Sequence, residues 1–117
     1  MWLCLSNAFL SIVSKNGNPD QFCVRSRCRV HITNIFPDAE VIEKPGTDYR
    51  YRAFINRSEV AKIIGEYIMQ INYTNFKDSV KDKELANAYY AVWARMFEYQ
   101  QTISKSEKSA TKQQPSK

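Results

Sequence analysis

KPGTDYRYRAFINRSEVAKIIGEYIMQI, residues 44–71, holds a turn, a strand, a helix start and an amphipathic helix in direct succession. Lys44-Pro45-Gly46-Thr47 has proline and glycine in the order a type II turn needs: Pro presets φ, and Gly supplies φ > 0. Residues 49–55 then alternate, so that Tyr49, Tyr51, Ala53 and Ile55 are expected to face one way and Arg50, Arg52 and Phe54 the other. Asn56 is placed to cap a helix whose Glu59, three residues on, reaches back to the cap amide. Val60, Ile63, Ile64, Tyr67, Ile68 and Ile71 recur at helical spacing and predict one apolar face. A hairpin strand running straight into such a helix predicts an α+β fold on an antiparallel sheet.

Upstream, residues 2–14 are rich in strand formers, with Ser6-Asn7 as a turn or bulge in the middle. Asn16-Gly17-Asn18-Pro19-Asp20 is the clearest turn in the chain, because Gly and Asn tolerate φ > 0. Residues 21–27 resume as a strand with Phe22 and Val24 on one face and Arg25 and Arg27 on the other. Ile32, Ile35 and Phe36 stand at helical spacing before Pro37-Asp38, which predicts a short helix. Residues 39–43 read as the partner strand of the hairpin that opens this reading.

Downstream, residues 72–80 are a polar connection anchored by Tyr73 and Phe76. From about Asp82 a second long helix carries Leu85, Tyr89, Val92, Trp93, Met96 and Phe97 as an apolar stripe expected to be buried. The predicted order is ββαββαα: an antiparallel sheet of about four strands with helices on one face, in a ferredoxin-like or related sandwich. Residues 1–101 are expected to form a single domain, and residues 102–117, with little apolar content, a disordered basic tail.

Charge points to no single class of partner. The net charge of +5 comes from 17 basic and 12 acidic residues, and four lysines against one glutamate in residues 101–117 leave the body only +2. That is a modest field for a domain built to hold nucleic acid. Cys4, Cys23 and Cys28 are an odd set, read as free thiols in a reducing cytosol rather than a disulfide framework. The apolar start lacks the charged region and cleavage site of a leader, so it is read as a strand. A cytoplasmic setting without membrane association follows.

MWLCLSNAFLSIV, FPDAEVIEKPGTDYRYRAFINRSEV, INYTNFKDSV and AYYAVWARMFEYQ together resemble a family of small uncharacterised bacterial proteins. The resemblance covers most of residues 1–100 and not the tail. It implies a bacterial cytosolic setting and the same domain boundary, and it implies no activity or catalytic residue.

Catalytic and cofactor chemistry find little footing. His31 is the only histidine; Cys28 precedes it by three residues, with no oxyanion-hole signal. Three glycines give no phosphate loop or dinucleotide fingerprint. Paired metal-ligand spacing is missing around Cys23 and Cys28. No catalytic residue, metal or cofactor is assigned.

Binding candidates are clearer. Arg25 and Arg27 alternate on one predicted strand, and Arg50 and Arg52 on another, with Phe54 beside them. Guanidinium forks suit phosphates and carboxylates, and an adjacent ring suits an unstacked base. The ordinary alternative is a solvated outer face paired with Glu40, Glu43 or Asp48. A second candidate is the loop with Asn75 and Lys77, since loops often carry function; its alternative is a local turn. The leading expectation is a non-catalytic binding protein that takes a protein partner or self-associates through a sheet edge. A nucleic-acid-binding module using the arginine face comes second, and an enzyme without a recognised motif third.

Overall fold

Two tight turns convert the apolar N-terminal stretch into a three-stranded meander: β1 (Trp2–Leu5), β2 (Ala8–Lys15) and β3 (Asn18–Ser26). Gly17 supplies the left-handed conformation at the second turn, with φ +77. In the computed structural model residues 1–113 are described, with side chains to Ser109. A short helix follows, α1 (Arg29–Ile35), as its spacing predicts. The 44–47 turn joins β4 (Ile42–Glu43) to β5 (Tyr51–Asn56), with Gly46 at φ +84. Helix α2 (Arg57–Met69) and a 3-10 turn at Lys77–Ser79 precede the long α3 (Lys83–Gln113).

Among the described residues the sheet has five strands in the order β1-β2-β3-β5-β4, and every pairing is antiparallel. The α+β class and one-sided sheet match expectation, while the strand count exceeds it by one. The extra strand arises because Ser6-Asn7 is a full turn rather than a bulge within one strand. The resulting order βββαββαα, without a parallel pair, departs from the expected ferredoxin-like arrangement.

Strand alternation decides what lies inside. Ala8, Leu10 and Ile12 of β2, Val24 of β3, and Ala53 and Ile55 of β5 point to one face. There they pack with Ile32, Ile35 and Phe36 from α1 and its end, and with Val60 of α2. Ile63, Ile64 and Tyr67 flank this cluster, but Ile68 and Ile71 are exposed, so the α2 stripe reaches the core only along its first three turns. Asn56 is the N-cap of α2 by position but makes no side-chain cap hydrogen bond, so the expected reciprocal cap is not formed. Asp82 does cap α3, its carboxylate accepting the amides of Glu84 and Leu85 at 3.0 and 3.1 Å.

The chain divides into two compact units, Met1–Lys81 and Asp82–Lys117. The sheet, α1 and α2 belong to the first and α3 to the second, so the division falls ahead of residue 101, where sequence placed the end of the domain. Residues 102–113 are helical rather than disordered. Neither glycine nor proline occurs between residues 83 and 113, and an existing helix extends by one hydrogen bond for each residue fixed. The last four residues of the expected tail lie outside the described residues. Of the α3 stripe expected in the core, Tyr89 is buried, but Val92, Trp93, Met96 and Phe97 are exposed.

Candidate nucleic-acid interface on the open sheet face

The sheet face opposite the apolar cluster carries the alternate residues of every strand. Its register sets Trp2, Ser11, Arg25, Arg52 and Ile42 in one row across all five strands. Cys4 and Phe9 form a row on one side, and Val13, Cys23 and Phe54 a row on the other. Arg25 and Arg52 are thus direct cross-strand neighbours on the central pair β3–β5.

Each arginine of the expected ladder has a distinct setting. Arg25 Nη2 donates to Ser11 Oγ at 2.6 Å, and its guanidinium lies 4.5 Å over the Tyr49 ring. Arg27 lies 4.2 Å over the same ring and 3.6 Å from the Asp48 carboxylate. Arg52 Nη2 donates to the Tyr49 carbonyl at 3.2 Å and to Thr47 Oγ1 at 3.4 Å. Arg50 pairs with Glu43 at 3.0 Å on the hairpin margin, where both are accessible. The expected carboxylate partners therefore occur for Arg27 and Arg50. Among the described residues Arg25 and Arg52 have no carboxylate partner.

Tyr49 was expected among the core-facing residues, and the structure corrects this. Strand β5 begins only at Tyr51, so the alternation does not extend back to residue 49. Tyr49 instead lies 5% exposed against the guanidinium groups of Arg25 and Arg27. Aromatic rings and cations continue across the face: Arg27 is 5.8 Å from the Phe9 ring, and Phe9 is 6.4 Å from that of Trp2. On the far side Lys15 sits 4.2 Å over the half-exposed ring of Phe54. Sequence reasoning found the arginines and Phe54 but missed Trp2, Phe9, Lys15 and Tyr49. The alternation of β1 and β2 already placed Trp2 and Phe9 on this face once Ser6-Asn7 is read as a turn.

Cys23 lies beneath this layer. Burial pushes its thiol above the usual range, while the positive charges of Arg52, Arg25 and Lys15 act in the opposite sense. Three cations therefore share one small region of the face. Cys4 and Cys28 are exposed and Cys23 is buried. A thiol titration of the native protein should show two groups reacting readily and a third only after denaturant is added. Three equally fast thiols would mean that the side chains over Cys23 do not form a closed layer.

The other candidates are local. Asn75 Oδ1 accepts the Lys77 amide at 3.0 Å, a side-chain turn closure, and the Tyr73 and Phe76 rings pack at 5.7 Å. The contacts of these four arginines run to Phe9, Ser11, Glu43, Thr47, Asp48 and Tyr49, none of them in residues 72–80. His31 Nδ1 accepts the Phe9 amide at 3.2 Å, which ties α1 to β2. A depression of about 250 Å³ beside β5 is lined by Asp38, Glu40 and Glu59 together with Phe54 and Ile63. Its carboxylates give it the opposite character to the arginine face. Among the described residues no group of three or more metal-ligating side chains occurs, and no helix is long and apolar enough to cross a membrane.

No protein-family model, curated protein or solved structure matches the chain. The resemblance noted from sequence stands on its quoted segments alone.

Proposed function

We propose that this protein is a binding module whose open sheet face receives single-stranded nucleic acid. The observation that carries the reading is the direct pairing of Arg25 with Arg52 on the central strands, without a carboxylate partner for either among the described residues. Like charges placed directly opposite destabilise a sheet. The Nε atoms of both are also buried without a hydrogen-bond partner among the described residues, a further cost. An anionic ligand offsets such a juxtaposition.

The surroundings favour nucleic acid among anions. Guanidinium groups stacked on Tyr49 are held in place, and the Nη1 atoms of Arg25 and Arg52 lie outside the hydrogen bonds described, with a geometry suited to phosphate. Phe9 lies beside Arg27 with the exposed Trp2 next to it, Phe54 lies beneath Lys15, and bases stack on such aromatic platforms with little sequence preference. Duplex DNA gives less to stack on, since its bases are already stacked.

Fluorescence anisotropy with a labelled oligouridylate and an oligothymidylate tests the reading. Binding should weaken as salt rises, by about 0.7 log units per log unit of salt for each phosphate neutralised. Arg25→Gln with Arg52→Gln should lower affinity at least tenfold, charge-assisted hydrogen bonds contributing about 1.5–3 kcal/mol each. The same change should flatten the salt slope by about 1.4. Absence of binding at low salt, or an unchanged slope in the double variant, would remove the proposal.

A protein partner is the second reading, favoured by the β1 edge. Its sequence WLCL has neither charge nor proline, the features that usually blunt an edge, and Trp2 is 73% exposed. Strand β4, by contrast, is two residues long, carries Glu43 and runs into Pro45. Met1 and Ile12 exchange both backbone hydrogen bonds at 2.8 Å, so the antiparallel alternation turns the amides of Trp2 and Cys4 outward. Cys4→Pro removes one outward donor and no ladder bond, and should abolish any strand addition there.

A further inference from the structure

We infer that Arg27 and Asp48 read one guanine in the strand that the open face receives. The inference rests on the nucleic-acid reading above and adds a base preference to it. The two side chains approach to 3.6 Å, beyond hydrogen-bond reach, and both are well exposed. Among the described residues neither makes a side-chain hydrogen bond. The N–H groups of the guanidinium and both carboxylate oxygens are therefore open to a ligand. An exposed pair so spaced adds little to a fold. A carboxylate beside Arg25, Arg27 and Arg52 also works against phosphate binding, so charge alone gives Asp48 no purpose there.

Position makes a base edge the ligand of this pair. The Arg27 guanidinium lies 4.2 Å over the buried Tyr49 ring, which holds it in place while its N–H groups stay unbonded. It is 5.8 Å from the Phe9 ring, and Phe9 is 6.4 Å from Trp2, which is 73% exposed. A base stacked on Trp2 and Phe9 brings an edge toward Arg27 and Asp48, and unstacked bases are read along such edges. Arg25 and Arg52 keep the phosphate. Guanine alone among the bases has two acceptors side by side, O6 and N7, and two donors side by side, N1–H and the 2-amino group. The first two match a guanidinium fork and the second two a carboxylate. Uracil, cytosine and adenine each offer one donor group, which leaves a carboxylate oxygen unfilled.

Fluorescence anisotropy of the full chain tests this with labelled hexauridylate and the same strand carrying one central guanosine. The guanosine strand should bind about tenfold tighter, the scale of a bidentate base contact. Inosine in its place lacks the 2-amino group and should lose about threefold of that gain. Asp48→Ala should erase both the guanosine preference and the inosine penalty. Hexauridylate should bind this variant as well as before or better, since a negative charge has left the face. The Asp48 side chain is 80% exposed, so the thermal midpoint should hold. 7-Deazaguanosine, without the N7 acceptor, should also cost about threefold, and Arg27→Gln should erase that cost. An Asp48 that only supports the fold would weaken both strands equally on replacement, and one that only repels phosphate would strengthen both equally. Either result overturns the inference, as does equal affinity of the natural chain for the two strands. Binding of neither strand at low salt overturns it together with the nucleic-acid reading, a result distinct from equal binding of both.

Discussion

Leu10→Ala is expected to cost the fold about 2–5 kcal/mol, read as a lowered urea midpoint with an unchanged slope. Leu10 is fully buried in β2 opposite Leu3, in the cluster that joins the sheet to Ile32, Ile35 and Phe36 around α1 and to Val60 of α2. Close packing leaves nothing flexible to fill the space the side chain vacates, so the cavity cost adds to the lost transfer energy. Trp93→Ala removes a larger side chain, yet it should cost no more than about 1 kcal/mol, as surface changes do, because Trp93 is exposed. A larger loss at Trp93 than at Leu10 would invert the assignment of core and surface.

That contrast marks where the sequence was legible and where it was not. Periodicity identified both long helices, and glycine placed the turns at Gly17 and Gly46, because these signals are local. It also reported an apolar stripe along α3 from Leu85 to Phe97. What a stripe lies against is a tertiary matter, and spacing is silent on it; the same holds for Ile68 and Ile71 on α2. Alternation placed Arg25, Arg52 and Phe54 on one face correctly, since a strand's period is two wherever the strand is regular. It failed for Tyr49, one residue outside the ladder and two before β5, where the chain is already turning. The pairing of Arg25 with Arg52 was not readable at all. It depends on the register between β3 and β5, strands separated by α1 and β4 in the chain, and no turn residue fixes such a register.

Tyr49→Ala is expected to have the widest consequences. Its ring lies against Arg25 and Arg27 at 4.5 and 4.2 Å, while its carbonyl accepts Arg52 at 3.2 Å and the Thr47 hydroxyl at 2.9 Å. Deleting a buried aromatic ring costs about 3–5 kcal/mol, and two cation–π contacts of about 0.5–2 kcal/mol each lie within that figure rather than beyond it. The ring also orients both guanidinium groups, leaving without it only the Ser11 hydroxyl to hold Arg25 and the exposed Asp48 carboxylate to hold Arg27. Without it, the like charges of Arg25 and Arg52 are free to swing apart. The sheet loses strain there even as it loses packing. Nucleic-acid affinity, measured at a temperature where the variant is still folded, should therefore fall about as far as in the double arginine variant. Tyr49→Phe keeps the ring and both backbone acceptor bonds, so stability should change by less than about 1 kcal/mol and binding should persist. If Tyr49→Ala folds and binds as the natural chain does, the ring does not organise the arginines for a ligand, and the contacts between them serve only to hold the β4–β5 hairpin against the sheet.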